Sequence, residues 1–503
     1  MTAFEGEDSD QIGDVIAPAA DLDNTAASYD EAADKELGQP PALKRDLQSR
    51  HMQMIAIGGA IGAGLFVGTG GALQEGGPGA LLIAYMIVGV MVLLTVQALG
   101  ELAVLYPVNG AFFDYCVRFI SPAWGFAMGW DYAIGWLVIL PFELTAASIT
   151  IQYWRDDLNM GIWVAVFLAS RRIHHFTGFC SVFVTAAVSF TGTELTGLAA
   201  AESKNPGKAI PKATKQVFWR ITIFYLLATF IIGLIVPYDS KWLLGSTGAN
   251  TKASPFVVSI QNAGISGLPS VMNAVITISV ISVANSATFA SSRTLQALAE
   301  QRMAPQIFAY IDKAGRPLYC VLLQIAFGFL AFINEASSTG NAIFDWLLAL
   351  SGVSQFMLWG SICLAHIRFR KAWAYNGRDF KELAYYAPFG EIGSWVGLWL
   401  NVLCLIAELY VSVISKSAML FFENYLAFPL TIALFLIWIV YLKFLKRISL
   451  GLRGLFLLKV QDIDVLSNIR DCALDVNLQP KVEYDTWGEW IKAAPTRILH
   501  SFL

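Results

Sequence analysis

Carboxyl groups inside apolar segments are the first residues of this chain that could do chemistry. Glu194 lies within an apolar run from 178 to 200, directly after Gly192 and Thr193. Glu143 lies deep in another apolar run. An ionisable group in such surroundings is costly, so it is neutral or paired and marks a functional position. Glu143 is therefore a candidate proton carrier, and Glu194 marks a functional site with helix packing as the alternative. Glu101, near the inner end of its run, favours an interfacial position over a coupling role.

A glycine-rich segment is the second feature with chemical potential. Residues 58–71 contain seven of the 41 glycines, and each weakens a helix by about 1 kcal/mol relative to alanine. A break near 62–64 would free backbone N–H groups and direct the N-terminus of a half-helix at an anion such as a carboxylate. Close packing of helices through small residues is the alternative interpretation.

The elements that must position these residues are membrane spans. The chain has 503 residues, of which 56% are hydrophobic and 14% are charged, a composition too apolar for a soluble protein. A span needs roughly 20 apolar residues to cross about 30 Å of hydrocarbon. The sequence predicts ten such spans, at 52–73, 79–103, 124–151, 178–200, 218–237, 267–290, 319–335, 343–365, 392–413 and 424–442.

The distribution of basic residues predicts the orientation of these spans. Lys and Arg are concentrated in alternate loops, at 204–220, 293–316, 368–381 and 443–447, as expected for cytoplasmic connections. Both termini are therefore predicted to be cytosolic. The acidic segment 1–50 is predicted to be a disordered tail, 51–446 the transmembrane domain, and 447–503 a cytosolic tail with a helix at the membrane surface.

One apolar segment is too short to span. Residues 160–169 make about 15 Å of helix before Ser170, Arg171 and Arg172 interrupt them. We predict an extracellular stub here. His174 and His175 are interpreted as part of a solvated basic turn, with a ligand site as the less favoured alternative. The six cysteines lack metal-ligand spacing and are predicted to be small buried hydrophobes.

A series of motifs resembles one family over nearly the whole hydrophobic region. The chain resembles the fungal amino acid permeases, the yeast amino acid transporter family within the amino acid, polyamine and organocation superfamily. The motifs stand in order along the chain and are together very specific; they are Ile57–Phe66, Pro141–Leu144, Ser189–Leu195, Ala201-Glu202, Asn205-Pro206, Asn285-Ser286, Ser292-Arg293, Leu298–Glu300, Ala304-Pro305 and His366–Arg370.

The resemblance implies an all-α integral membrane transporter with five-plus-five inverted repeats of the LeuT-like type. It implies that backbone groups of Gly62, Ala63 and Gly64 bind the substrate carboxylate. Relatives often have a hydroxyl residue at the position of Ala63, so that contact is absent here.

The same resemblance implies a second set of site residues around the substrate amine. Phe190, Thr191 and Gly192 would supply carbonyls and a gating ring for the substrate ammonium. For Asn285 two positions stay open, one facing the substrate cavity and one in the packing between helices, and neither is favoured. Glu143 and Glu194 would take proton-linked roles, because family members are proton symporters.

The segment 160–177 departs from the family pattern. Members have twelve spans, whereas this chain lacks roughly seventy residues between Leu168 and Phe176 that would finish the fourth helix and supply the fifth. Loss of two crossings of opposite direction keeps the later loops on their original sides, in agreement with the distribution of basic residues.

The sequence therefore predicts a proton-coupled symporter of the plasma membrane, with broad or neutral amino acid specificity. A non-transporting amino acid sensor and an inactive truncated permease are the alternatives. An enzyme, a metal centre, a cofactor and a nucleic-acid partner are not expected, because no motif for them is present. The expected partners are the amino acid, protons, membrane lipid, and trafficking or ubiquitination machinery at the tails.

Overall fold

A computed structural model of the protein describes most of the hydrophobic region. The described residues are 62, 64–152, 176–203, 206–238, 254–313, 315–332, 340–414, 421–422, 425–445, 452–467 and 469. Within these ranges the regular structure is helical and no residue lies in a β-strand. The expected all-α class is confirmed. Ala63, the short segment 160–175 with its two histidines, the N-terminal tail and residues 470–503 lie outside the described residues.

Long apolar helices form the body of the protein. In chain order, a π-helical turn at Gly64–Gly68 precedes α1 (Thr69–Leu105), α2 (Ala111–Phe119), α3 (Pro122–Gln152), α4 (Phe176–Phe190), α5 (Leu195–Leu198), α6 (Pro206–Arg220), α7 (Ala228–Ile235), α8 (Pro255–Asn262), α9 (Leu268–Glu300), α10 (Leu318–Gly328), α11 (Gly340–Tyr375), α12 (Gly390–Ile414), α13 (Ala427–Val440) and α14 (Leu452–Phe456).

The predicted apolar runs coincide with these helices. Within the described residues, five helical segments are long and apolar enough to cross a membrane alone, at Thr69–Leu105, Pro122–Leu144, Leu268–Glu300, Gly390–Ile414 and Ala427–Phe444. The second predicted span, 79–103, lies within α1, and the described part of the first, 62 and 64–73, ends in the first residues of α1. They are separated at Gly77, whose φ of 76° and ψ of 172° are not helical and which precedes Pro78.

Helix α3 packs against the helices α2, α9, α10, α11 and α13. Its Tyr132 and Trp136 are almost fully buried. Glycines let neighbouring helices approach it closely: a methyl group added at Gly129 would lie 2.6 Å from Leu298 Cδ2 of α9. Close contacts through small residues are the usual way in which helices pack in membranes. This helix therefore carries its side chains into the interior, among them the predicted site residue Glu143.

The segment 452–467, which follows the last span, contacts α1 and α2 in a region that the sequence predicts to be cytoplasmic. The Tyr106 hydroxyl at the end of α1 donates to Val465 O at 2.7 Å, and Arg118 Nε of α2 donates to Asp464 O at 2.8 Å. The Leu458 amide donates to Ile120 O at 2.8 Å. The segment 452–467 is thus bound to α1 and α2 rather than extended away from them.

At 312–316 a turn is closed by an ion pair, in which Arg316 Nη2 lies 2.9 Å from Asp312 Oδ2. Four cysteines, Cys116, Cys320, Cys363 and Cys404, are buried free thiols. For these four the prediction of small buried hydrophobic residues is confirmed.

Candidate functional site

The first part of the candidate site is a break between two helices. Helix α4 ends at Phe190 and α5 begins at Leu195. Gly192 has a φ of 91°, a conformation that glycine adopts at little cost. Within the turn, Thr193 N donates to Phe190 O at 3.4 Å and Leu195 N donates to Gly192 O at 3.3 Å. The predicted interruption of this span is confirmed, and neither bond uses the carbonyl of Thr191.

Glu194 lies in this break and is completely buried. Its carboxylate accepts from the Gly192 amide at 3.2 and 3.3 Å, and from Thr193 Oγ1 at 3.4 Å. The Tyr132 hydroxyl of α3 lies 3.5 Å from Oε1. All four contacts are long, and none of the donors that the described residues bring to Glu194 is charged. The site can therefore hold the carboxyl group in its neutral form without leaving a buried cation unpaired.

The glycine-rich segment meets three other helices. A methyl group added at Gly62 would lie 2.7 Å from Glu143 Oε1 and 2.8 Å from Val283 Cγ2 of α9. One added at Gly64 would lie 2.8 Å from the Ser189 nitrogen of α4. Only glycine permits these approaches, which favours the packing interpretation at Gly64. The predicted break near 62–64 includes Ala63, which lies outside the described part of the chain, so the break stays a prediction.

Glu143 and Glu194 occupy different levels of the structure. Glu143 is 3% exposed and lies against Gly62, whereas Glu194 lies against Tyr132. Both Tyr132 and Glu143 belong to α3, and eleven residues of helix correspond to about 16 Å along the axis. The two predicted proton-linked residues thus meet α3 about three helical turns apart, one on the helix itself and the other through Tyr132.

The remaining predicted site residues have distinct positions. The Phe190 ring is buried, with its centroid 4.2 Å from that of Tyr225 and 5.8 Å from that of Tyr85. Thr191 Oγ1 donates to the Ala187 carbonyl at 3.2 Å. Asn285 is exposed on the face of α9 that also carries Ile281, which is 53% exposed. The structure does not bring Asn285 together with the other site residues.

Glu101 was predicted to be interfacial, and this prediction is wrong. It is 1% exposed and accepts from Arg370 Nη2 at 2.6 Å and from the Ala387 amide at 2.6 Å. Its Oε1 lies 3.1 Å from His366 Nε2. Both partners stand on one face of α11, because residues four apart face the same side of a helix. That spacing in the motif His366–Arg370 was the available signal, but the sequence does not show which acid it meets.

Two further buried acids were not predicted. Asp131 of α3 and Glu408 of α12 are each 2% exposed. Asp131 lies within hydrogen-bond distance of the Ser354 and Thr431 hydroxyl groups, whereas Glu408 Oε1 has no hydrogen-bond partner among the described residues. Both stand inside predicted spans, so the rule that identified Glu143 would have found them. In the described part of the chain no three His, Cys, Asp or Glu residues are grouped as metal ligands.

Comparison with known proteins identifies the family. The sequence profile of the amino acid permease family matches residues 51–173 and 169–448. A cationic amino acid transporter of Schizosaccharomyces pombe is 46% identical over 466 residues, covering 80% of this chain and 79% of the relative. A general amino-acid permease of Candida albicans is 45% identical, covering 78% and 77%. The amino-acid permease inda1 of Hypocrea atroviridis is 45% identical, covering 79% and 81%.

These alignments also bear on the short segment near 160–177. The alignment with the S. pombe transporter is 466 residues long but uses 80% of the 503 residues of this chain, about 402, which leaves about 64 positions without a counterpart here. The family match divides at 169–173, where the sequence predicts a missing segment. The two ranges matched by the family profile and the similarity to the three relatives show that this chain belongs to the amino acid permease family. Members of this family are integral membrane transporters of amino acids and not enzymes.

Proposed function

We propose that this protein is a proton-coupled amino acid symporter of the plasma membrane. The observation that carries the proposal is the environment of Glu194. This carboxyl group is fully buried at a helix break, and every donor that the described residues bring to it is neutral. A group in such a place can gain and lose a proton as its surroundings change. Glu143, buried against the glycine-rich segment, is a second proton-linked residue in this proposal.

The substrate would bind between the two interrupted segments. Backbone groups of Gly62, Ala63 and Gly64 would receive the substrate carboxylate, and the carbonyls of Thr191 and Gly192 would receive its ammonium group. Support comes from the position of the two segments, which lie side by side because Gly64 packs on the backbone of Ser189, one residue before the end of α4. The Phe190 ring, between Tyr85 and Tyr225, would act as the gate. Asn285 has no such support, since it is exposed on α9.

Broad or neutral specificity fits the relatives better than one narrow substrate. One relative is a cationic amino acid transporter and another a general amino-acid permease, and both are equally similar to this chain. Both termini would face the cytosol, because the basic loops alternate. The tails would then be accessible to trafficking or ubiquitination machinery.

A second candidate is an inactive permease, and a specific observation favours it. About 64 positions of the relatives have no counterpart in this chain. The loss falls within the first half of the family match. Two full spans need roughly 40 residues plus their connections, so a loss of this size removes a helix pair. A non-transporting sensor needs only to bind amino acids. It would not need the missing helix pair to complete a transport path.

Uptake measurements distinguish these candidates. The full chain is expressed in cells that lack their own permeases, and uptake of a labelled amino acid mixture is measured with and without a proton gradient. Surface abundance is measured in parallel. We expect gradient-dependent uptake at normal surface abundance. A chain that reaches the surface but binds without uptake supports the sensor, and one that neither binds nor takes up amino acid supports the inactive permease.

A further inference from the structure

Asp131 joins three helices in the interior of the protein. It belongs to α3 and is 2% exposed. Its Oδ2 accepts a hydrogen bond from Ser354 Oγ of α11 at 2.6 Å, and its Oδ1 lies 2.9 Å from Thr431 Oγ1 of α13. Neither the family motifs of the sequence nor the proposed substrate site includes this residue.

The Thr431 hydroxyl is short of one hydrogen for its contacts. Its Oγ1 lies 2.9 Å from Ala427 O and also 2.9 Å from Asp131 Oδ1. A threonine hydroxyl has one hydrogen to donate and two lone pairs that accept. If Asp131 were a carboxylate, that hydrogen would have to serve two acceptors at the same distance. If Asp131 carries a proton on Oδ1, it donates to Thr431, and Thr431 donates to Ala427, so that every contact has its own hydrogen.

The charges around Asp131 lead to the same protonation state. The partners that reach it from α11 and α13 are the two hydroxyl groups. The cationic side chains that the described helices around α3 carry are engaged elsewhere. On α11, His366 and Arg370 bind Glu101, and Arg368 binds main-chain carbonyls. Arg293 of α9 binds Glu202, and Arg118 of α2 binds the C-terminal segment. A buried carboxylate without a cation is costly, and a neutral carboxyl is not.

We propose that Asp131 holds a proton in this conformation and is a further proton-binding residue of the transporter, a role that rests on the proposed proton coupling. Loss of the proton leaves a carboxylate and one hydroxyl hydrogen for two acceptors. Either the contact between α3 and α13 or the Thr431 bond within α13 then weakens. Protonation of Asp131 is thereby linked to how tightly α13 is held to α3, away from the break that contains Glu194.

Infrared spectroscopy of the full-length protein in lipid tests the protonation state directly. A protonated carboxyl has a carbonyl stretch at higher frequency than a carboxylate or an amide. We expect the difference between wild type and Asp131→Asn at neutral pH to contain the loss of one such band. Asparagine keeps the shape, accepts from Ser354 and donates to Thr431, so this variant retains the contacts. If no protonated carboxyl band is lost, the inference is wrong.

Two threonine variants keep the test decisive. Thr431→Val removes the proposed acceptor, so we expect the Asp131 band to move to higher frequency. Thr294→Val is the matched control, because Thr294 is a buried helical threonine that donates to the carbonyl four residues earlier, at 2.8 Å, and contacts no acid. It should leave the band unchanged. A band that ignores Thr431→Val would overturn the assigned hydrogen bond even if Asp131→Asn did not fold.

Uptake separates this inference from the proposed function. We expect Asp131→Asn to reach the surface and to lose gradient-driven uptake several-fold, because its amide cannot release a proton. Unchanged uptake would overturn the role in transport. Wild-type uptake that ignores the proton gradient would contradict the proposed function while leaving the infrared result to stand. Gradient-driven wild-type uptake without the carboxyl band would overturn this inference alone.

Discussion

Two buried glutamates of this protein have opposite surroundings. The donors that the described residues bring to Glu194, at the break between α4 and α5, are neutral, and those of Gly192, Thr193 and Tyr132 lie 3.2 to 3.5 Å away. Glu101, near the end of α1, meets Arg370 at 2.6 Å and the Ala387 amide at 2.6 Å, with His366 Nε2 at 3.1 Å. Both side chains are buried to within 1%. Burial alone therefore does not separate the two acids, whereas the charge and length of their contacts do.

The difference indicates which region can change its charge. The cluster around Glu101 has strong charge-assisted bonds, and the Arg370 guanidinium also lies 4.4 Å from the centroid of the Tyr386 ring. Adding a proton to Glu101, or removing one of its partners, leaves a buried charge unpaired. Around Glu194 a proton can be added without that consequence. Glu101, His366, Arg370 and the Ala387 amide form a group that we call the inner cluster. We therefore assign the inner cluster to holding α1, α11 and the residues just before α12 together. We assign the helix break to the proton-linked step.

The largest effect is expected from breaking the inner cluster. Glu101→Gln leaves Arg370 buried without its carboxylate, and loss of one partner of a buried pair costs about 3 to 5 kcal/mol. We expect a large drop in thermal stability in detergent and in surface abundance. Glu382→Gln is the matched control, because its pair with Arg378 is about one-third exposed on both sides and such pairs contribute about 0.5 kcal/mol or less. Equal stability of the two variants would contradict the structural role of Glu101.

A smaller effect is expected from crowding the helix-break region. Gly64→Ala places a methyl group 2.8 Å from the Ser189 nitrogen, and overpacking of this kind costs about 1 to 3 kcal/mol. Gly71→Ala is the matched control, since nothing lies within 4 Å of the added methyl. We expect lower thermal stability and lower uptake for the first variant only. Two variants of equal stability would show that the glycine-rich segment does not pack against α4 as described.

Neutralising Glu194 tests the other side of the comparison. Glu194→Gln keeps the shape and introduces no unpaired charge, so we expect near-normal stability and surface abundance. Each pH unit of gradient corresponds to about 1.4 kcal/mol, or about tenfold accumulation per coupled proton. The variant should lose about that factor in accumulation ratio, measured with labelled amino acid at a fixed gradient. Unfolding of this variant would instead indicate that Glu194 is structural like Glu101.

An exposed acid completes the series with the smallest effect. Hydrogen bonds from the Ser467 hydroxyl and amide lower the pKa of Asp464 from 3.8 to about 2. The folded state therefore gains from the ionised form above pH 3.8, and this gain is lost as the pH falls towards 2. Because Asp464 is exposed, Asp464→Asn should cost less than about 1 kcal/mol at neutral pH. Limited proteolysis of the C-terminal segment should become slightly faster, and no change, or slower cleavage, would argue against the docking described.

The sequence predicted the helices and one break because both depend on local features. Apolar runs of sufficient length became helices, and Gly192 marked the interruption of α4 and α5. The pairing of Glu101 was not predictable in this way, since its partners stand more than 260 positions later in the chain. The same applies to the contact of Asp131 with Thr431, 300 positions apart. Asn285 shows the converse: its motif left a cavity position and a packing position equally open, and the structure places the side chain on an exposed face of its helix.

Transport measurements in proteoliposomes can show directly whether Glu194 carries the protons that enter with the amino acid. Purified wild type and Glu194→Gln are reconstituted with a pH-sensitive dye inside, and an amino acid mixture is added outside without a pH gradient. We expect that amino acid uptake by the wild-type protein acidifies the interior of the liposomes. The Glu194→Gln variant should take up amino acid with little acidification. Wild-type uptake without acidification, or acidification by the variant at the wild-type rate, would contradict this role of Glu194.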